Sequence, residues 1–159
     1  AMQPDARSSK IGIWDMSFLN DKPSGTGDAC AMQEVAVANQ LEDMSILILE
    51  DEFLIAMDIE QICYDCGARS VRIVRSVDEA ATLPDPLEGI DAAVIDVMLA
   101  GVSTFDFAAR LVEARIPFVF ASGIGLTDTI EARFPGVRLV GKPYSSDDLV
   151  GALDAAIRG

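Results

Sequence analysis

Glu50, Asp51 and Glu52 stand together directly after the apolar run SILIL. Asp96 follows the run DAAVI, Ser122 follows PFVFA, and Lys142 lies in Gly141-Lys142-Pro143 after VRLV. Brought to one place, Glu50, Asp51 and Asp96 would repel one another, and a single lysine is too little to neutralise them. A hard dication is therefore implied. Mg²⁺ suits oxygen donors of this kind, with water and phosphate completing its octahedron. The main chain after Asp96 could add a carbonyl, and that of Met98 is best placed in the sequence. A carboxylate such as Asp96 can attack phosphorus and become an aspartyl phosphate. Lys142 and the metal would offset charge on the equatorial oxygens, and such positioning is most of the catalysis of phosphoryl transfer. The Ser122 hydroxyl could donate to a phosphoryl oxygen once it is attached.

Such a meeting needs elements that deliver these residues to one edge. Residues 45–49 form a continuous apolar run, as in a strand buried on both faces. A helix is expected over 53–65, with Ile55, Ile59 and Ile62 on one side and Gly67 ending it. Residues 70–74 read as a second strand, and Ser76 as the cap of a helix reaching about Leu83 before Pro84. Strands follow at 91–95, 117–121 and 137–140, and helices at 104–114 and 126–133. Ser145 or Ser146 caps the last helix, with Leu149, Leu153 and Ile157 facing inward. Five strands alternating with five helices imply a doubly wound α/β fold, its parallel sheet covered on both faces. Ligands in such folds bind at the carboxyl ends of strands, where the strand order reverses. With the order 2-1-3-4-5, the crevice lies between strands one and three. The acidic pair and Asp96 then meet there, with Ser122 and Lys142 beside them. Strand two ends in Arg75 and Ser76, with no acidic cluster.

Composition narrows the function classes. The chain has 159 residues, half of them hydrophobic, enough for one domain with a proper core. Its 26 acidic and 12 basic residues give a net charge of −14, which repels nucleic acid and anionic membrane. Neither is expected as a partner; proteins with basic or apolar patches, and cations, are. The absence of histidine excludes Ser-His-Asp and Cys-His catalysis and most zinc sites. It also excludes a phosphohistidine donor role. Three cysteines, Cys30, Cys63 and Cys66, argue against a disulfide scaffold. With no signal-peptide pattern and no membrane-length apolar run, a cytoplasmic location is expected. Residues 1–43 read as an N-terminal extension, with a short helix near 29–42 capped by Asp28, and residues 44–159 as the main domain.

Together, ILILEDE, VIDVML, VFASG and VGKPY, in this order and spacing, resemble the receiver domain of two-component response regulators. The resemblance covers Ser45 to the C-terminus and implies a flavodoxin-like sheet of five parallel strands. It makes Asp96 the phospho-acceptor, Glu50 and Asp51 the metal pair, Ser122 the switch hydroxyl and Lys142 the phosphoryl-binding cation. It implies Mg²⁺ as cofactor, a cis Lys142–Pro143 bond, and a histidine kinase or histidine phosphotransfer protein as donor. The phosphorylated domain would then switch a surface toward a downstream protein, as a signalling part rather than an enzyme. PFVFASGIG also resembles the PFxFATGYG segment of alphaproteobacterial single-domain receivers, which work in general stress signalling. Three positions depart from the family pattern. Leu139 stands where many receivers carry an aromatic switch residue. Met98 and Ile124 occupy the positions flanking the phosphoryl group, and neither can orient an attacking water, so a slowly hydrolysing phospho-form is expected.

Simpler explanations exist for each residue. Glu52 suits a helix N-terminus through the macrodipole. Asp96 could be a solvated loop carboxylate, Lys142 a surface cation and Ser122 a turn hydroxyl. Cys63 and Cys66 form a CxxC, but a redox motif would place its first cysteine at a helix N-terminus. These two fall near a helix C-terminus, so packing is expected. Met98, two residues after Asp96, leaves no general acid for a haloacid-dehalogenase-type hydrolase. The acidic loop after strand one is unlike the flavin phosphate loop of a flavodoxin. A receiver-like module that binds partners without phosphorylation, and the receiver of a hybrid histidine kinase, remain as alternatives.

Overall fold

The computed structural model describes residues 39–123 and 125–159. The parallel sheet is built from β1 (Ser45–Leu49), β2 (Ser70–Val74), β3 (Ala92–Asp96), β6 (Phe118–Ser122) and β7 (Leu139–Gly141). Its order is β2-β1-β3-β6-β7, all neighbours parallel. This is the expected 2-1-3-4-5 order once a short antiparallel hairpin, β4 (Met98–Leu99) and β5 (Val102–Ser103), is set aside. The helices are α1 (Phe53–Asp65), α2 (Val77–Ala81), α3 (Phe105–Glu113), α4 (Thr127–Arg133) and α5 (Ser146–Arg158).

Because strand side chains alternate, each central strand feeds two cores. Leu47, Leu49, Ala93, Ile95, Phe118 and Phe120 point to the side packed by α2, α3 and α4. Ile46, Ile48, Ala92, Val94, Val119 and Ala121 point to the side packed by α1 and α5. The first side is aromatic. Phe120 meets Phe118 and Phe105 edge-on, with ring centroids 5.4 and 5.9 Å apart, a favourable arrangement of ring quadrupoles. The second side is aliphatic, built from Ile, Val and Ala of the strands against Ile59, Ile62, Leu149 and Leu153 of the helices.

Local signals explain the ends. Ser76 accepts from the amide of Glu79 and caps α2. Ser145 and Asp148 form a reciprocal capping box at the start of α5. Gly67, at φ 92°, takes the left-handed position after α1. The Lys142–Pro143 bond is cis, as expected, and so is Asp85–Pro86.

Several boundaries differ from the sequence reading. The third and fourth strands begin one residue later than expected, because the register pairs Ile46 with Ala92 and Ala93 with Phe118. The hairpin β4–β5 was not foreseen, since two-residue strands carry too little alternation to read. Its turn is Ala100-Gly101, with φ 49° and 82°, the positive pair of a tight hairpin turn. The helix expected near 29–42 and capped by Asp28 lies mostly outside the described residues, as do Trp14 and Cys30. Residues 39–43 are turn rather than helix. There Leu41 is fully buried, its amide donates to Cys66 O, and that of Asp43 donates to Gly67 O.

Candidate functional site

The register sets Leu49 opposite Ile95, so Glu50 and Asp96 leave adjacent strands at one level. Asp96 in turn pairs with Ala121, and Ser122 with Gly141. One edge of the sheet therefore carries Glu50, Asp51, Asp96, Ser122 and Lys142. Carboxylate oxygens of Glu50, Asp51 and Asp96 all lie within 4.8 Å of one another, the one such acidic cluster among the described residues. Lys142 reaches between two of them. Its Nζ donates to Glu50 Oε2 at 2.7 Å and to Asp96 Oδ2 at 2.8 Å.

The environment is low in water. Glu50 is 1% exposed and Ser122 4%. Burial pushes the Glu50 carboxyl above its ordinary value, against the opposing pull of the Lys142 hydrogen bond. Burial would lower the Lys142 pKa, but hydrogen bonds to Asp96 and Glu50 outweigh it, and the ammonium is held above its usual range. A proton is thus retained on nitrogen between two carboxylates.

Backbone amides hold the carboxylates in place. Glu52 N donates to Glu50 Oε1 at 3.1 Å, at the start of α1. Met98 N donates to Asp96 Oδ1 at 3.2 Å. Ala100 N donates to Asp51 Oδ2 at 3.0 Å from the hairpin turn. That contact gives the left-handed Ala100 a purpose, since alanine adopts positive φ at a cost. Thr104 is fully buried, and its hydroxyl donates to Asp96 O at 2.6 Å and contacts Val97 O at 3.2 Å. It ties the start of α3 to the end of β3. Arg75 Nη2 donates to Asp51 O at 2.9 Å from the end of β2.

Sequence reasoning placed Glu50, Asp51, Asp96, Lys142 and Ser122 at one edge, and the structure brings them there. It placed Met98 by its carbonyl; the contact seen is made by its amide. Ala100, Thr104 and Arg75 were missed as site residues. Thr104 had been read only as the first residue of a helix, and Ala100 acts through its backbone, which no side chain announces. Ile124 lies outside the described residues. Leu139 packs against the aromatic core. Tyr144 carries a hydroxyl that is sealed from solvent and without a partner among the described residues, and burial pushes it up to about 12.

The residues fit a bound dication. Three carboxylates face one ammonium, so two negative charges are left to offset, and all the donors are hard oxygens. Cys63 and Cys66 are buried free thiols near the end of α1, and burial pushes Cys63 up to about 12, as packing rather than redox chemistry requires. None of the described helices is long and apolar enough to cross a membrane.

No protein-family model matches the chain, and no curated protein matches it. Solved structures do. A response regulator receiver protein from Sinorhizobium medicae superposes with TM-score 0.66 at 24% identity, over 75% of this chain and 98% of that one. The chain has the receiver-domain fold. The response regulator PhyR from Brucella abortus superposes with TM-score 0.64 at 30% identity over 82% of this chain. An anti-anti-sigma factor PhyR from Bartonella quintana does so with TM-score 0.62 at 26% identity, again over 82%. The chain spans about half of these two proteins, 53% and 52%.

Proposed function

We propose that this receiver-fold chain is a phospho-acceptor of a two-component phosphorelay. The observation that carries the reading is the meeting of the Glu50, Asp51 and Asp96 carboxylates within 4.8 Å of one another at one sheet edge, with Lys142 bridging Glu50 and Asp96. Asp96 is the nucleophile. An oxygen of its carboxylate attacks the phosphorus of a donor phosphohistidine; the phosphorus–nitrogen bond breaks, and the donor imidazole keeps the electron pair and takes up a proton. Lys142, already on Asp96, moves onto a phosphoryl oxygen. Ser122, at the end of β6, donates its hydroxyl to another. Glu50, Asp51, Asp96 and the Met98 carbonyl are the groups that would hold Mg²⁺. When bound, this ion supplies positive charge for the phosphoryl oxygens.

The donor is a histidine kinase or histidine phosphotransfer protein, since this chain has no histidine. The output is a switched protein surface, in keeping with the likeness to a protein named as an anti-anti-sigma factor. Placement among single-domain receivers with PFxFATGYG rests on PFVFASGIG alone. Because the resemblance puts Met98 and Ile124 at the two positions whose side chains would orient an attacking water, and neither can, the phospho-form hydrolyses slowly. The chain is a signalling part that catalyses only its own modification, in the cytoplasm.

Intact mass after incubation with Mg²⁺ and acetyl phosphate tests the reading, with Asp96→Asn as control. A gain of one phosphoryl group, absent in the variant and with chelator, is the expected result. No gain together with no Mg²⁺ binding would overturn it in favour of a module that binds partners without phosphorylation.

A further inference from the structure

Helix α1 is apolar on its outer side as well as its inner one. Its inner side buries Ala56, Ile59, Ile62 and Cys63. Yet Phe53 is 57% exposed, Leu54 80%, Met57 43% and Tyr64 45%, four of the six large hydrophobic residues left exposed in the described structure. Phe53 and Met57, four residues apart, are neighbours on one face of the helix with Leu54 beside them, and Tyr64 lies two turns further on the same face, beyond Glu60 and Gln61. Arg75 lies over the Phe53 ring at 5.8 Å and covers only that end. An exposed apolar strip of this kind, densest at Phe53, Leu54 and Met57, on an otherwise strongly acidic protein marks a surface that something covers.

Two features of the chain say what covers it. The first is where the N-terminal segment joins the fold. Leu41 is fully buried in the cluster that contains Ile59, Ile62, Cys63 and Cys66, and its amide bonds to Cys66 O. The 38 residues before Asn39 therefore start from the C-terminal end of α1 itself. The second is their composition. Residues 11–19, IGIWDMSFL, supply Ile11, Ile13, Trp14, Met16, Phe18 and Leu19 within nine positions. Arg7, Lys10 and Lys22 balance Asp5, Asp15 and Asp21 across residues 1–22, whereas α1 carries Asp58, Glu60 and Asp65 and no basic residue. Reach is no obstacle. The nineteen residues from 20 to 38 can extend over roughly 60 Å, and a helix of α1's length is about 20 Å long.

We propose that residues 11–19 dock on the exposed apolar strip of α1, with Trp14 as the anchor.

Trp14 is the only tryptophan, so its fluorescence in the full chain reads the contact directly. The wild-type protein should show blue-shifted emission shielded from iodide. The double variant Leu54→Glu/Met57→Glu should red-shift the emission and raise quenching severalfold. Val112→Glu, at a 53% exposed position on α3, should leave both as in wild type. Circular dichroism checks that each variant is folded. Solvent-like emission from the wild type, or shielding that survives the double variant, would overturn the proposal. So would a dimer that the double variant dissociates, because a second copy would then be the occupant. None of these readouts depends on phosphorylation, so the docking and the phospho-acceptor reading fail separately.

Discussion

The middle of the sheet is dry throughout and its carboxyl edge only in part, with Glu50 buried and Asp96 and Lys142 partly exposed, and the two are held together by opposite means. In the middle, Phe120, Ile48 and Val94 are at most 1% exposed and are surrounded by apolar side chains. At the edge, Glu50 is just as buried, yet it sits beside two further carboxylates and is answered by one lysine. The middle gains from every contact it makes. The edge holds more negative charge than its protein neighbours offset, and is stable because the middle over-determines it. Such stress is what the proposed binding of a cation and a phosphoryl group would relieve.

Truncation in the middle should have the largest effect. Phe120→Ala removes a ring that meets Phe105, Phe118 and Phe134, and should cost about 4 kcal/mol in urea unfolding. A cost below about 1 kcal/mol would break the contrast between the two regions.

Next comes the lysine. Lys142→Met leaves the buried Glu50 and the partly buried Asp96 without their shared partner, and should cost roughly 2–3 kcal/mol at neutral pH in chelator. At the same edge, Asp96→Asn should have the reverse sign. It relieves the crowding of carboxylates and should raise stability in chelator by on the order of 1 kcal/mol. Added Mg²⁺ should stabilise wild type more than this variant. Destabilisation by Asp96→Asn in chelator would mean that the edge is not strained.

Acidity sharpens the comparison further. The Glu50 pKa is raised above 4.5 in the folded protein by burial, so the folded state binds that proton more tightly than the unfolded one. This contribution to stability is fully present below 4.5 and is lost as pH rises through the raised pKa. Glu50→Gln should therefore flatten the fall in stability over that window, measured in chelator. An unchanged profile would place the strain elsewhere.

The smallest effect should come from Tyr144→Phe. Its hydroxyl has no partner among the described residues, so its loss should leave stability within about 0.5 kcal/mol of wild type or slightly above. A clear loss would show that the hydroxyl is bonded in solution.

Much of this was legible in the chain before any coordinates. The runs SILIL, DAAVI and PFVFA announce strands buried on both faces, and the first polar residue after each is a site residue. The chain alone determined which residue types end the strands, because apolar periodicity and turn chemistry are local. Only the tertiary structure decided that Lys142 bridges Glu50 and Asp96, from positions 92 and 46 residues away. Register between strands is a long-range property, set by how two cores pack on the sheet. It also decided the backbone part of the site. The amide of Ala100 reaches Asp51 through a hairpin of two-residue strands, and Thr104 turns its hydroxyl back to the Asp96 carbonyl. Backbone groups are the same at every residue, so their roles come from the path of the chain, and that path exists only once the whole domain has closed.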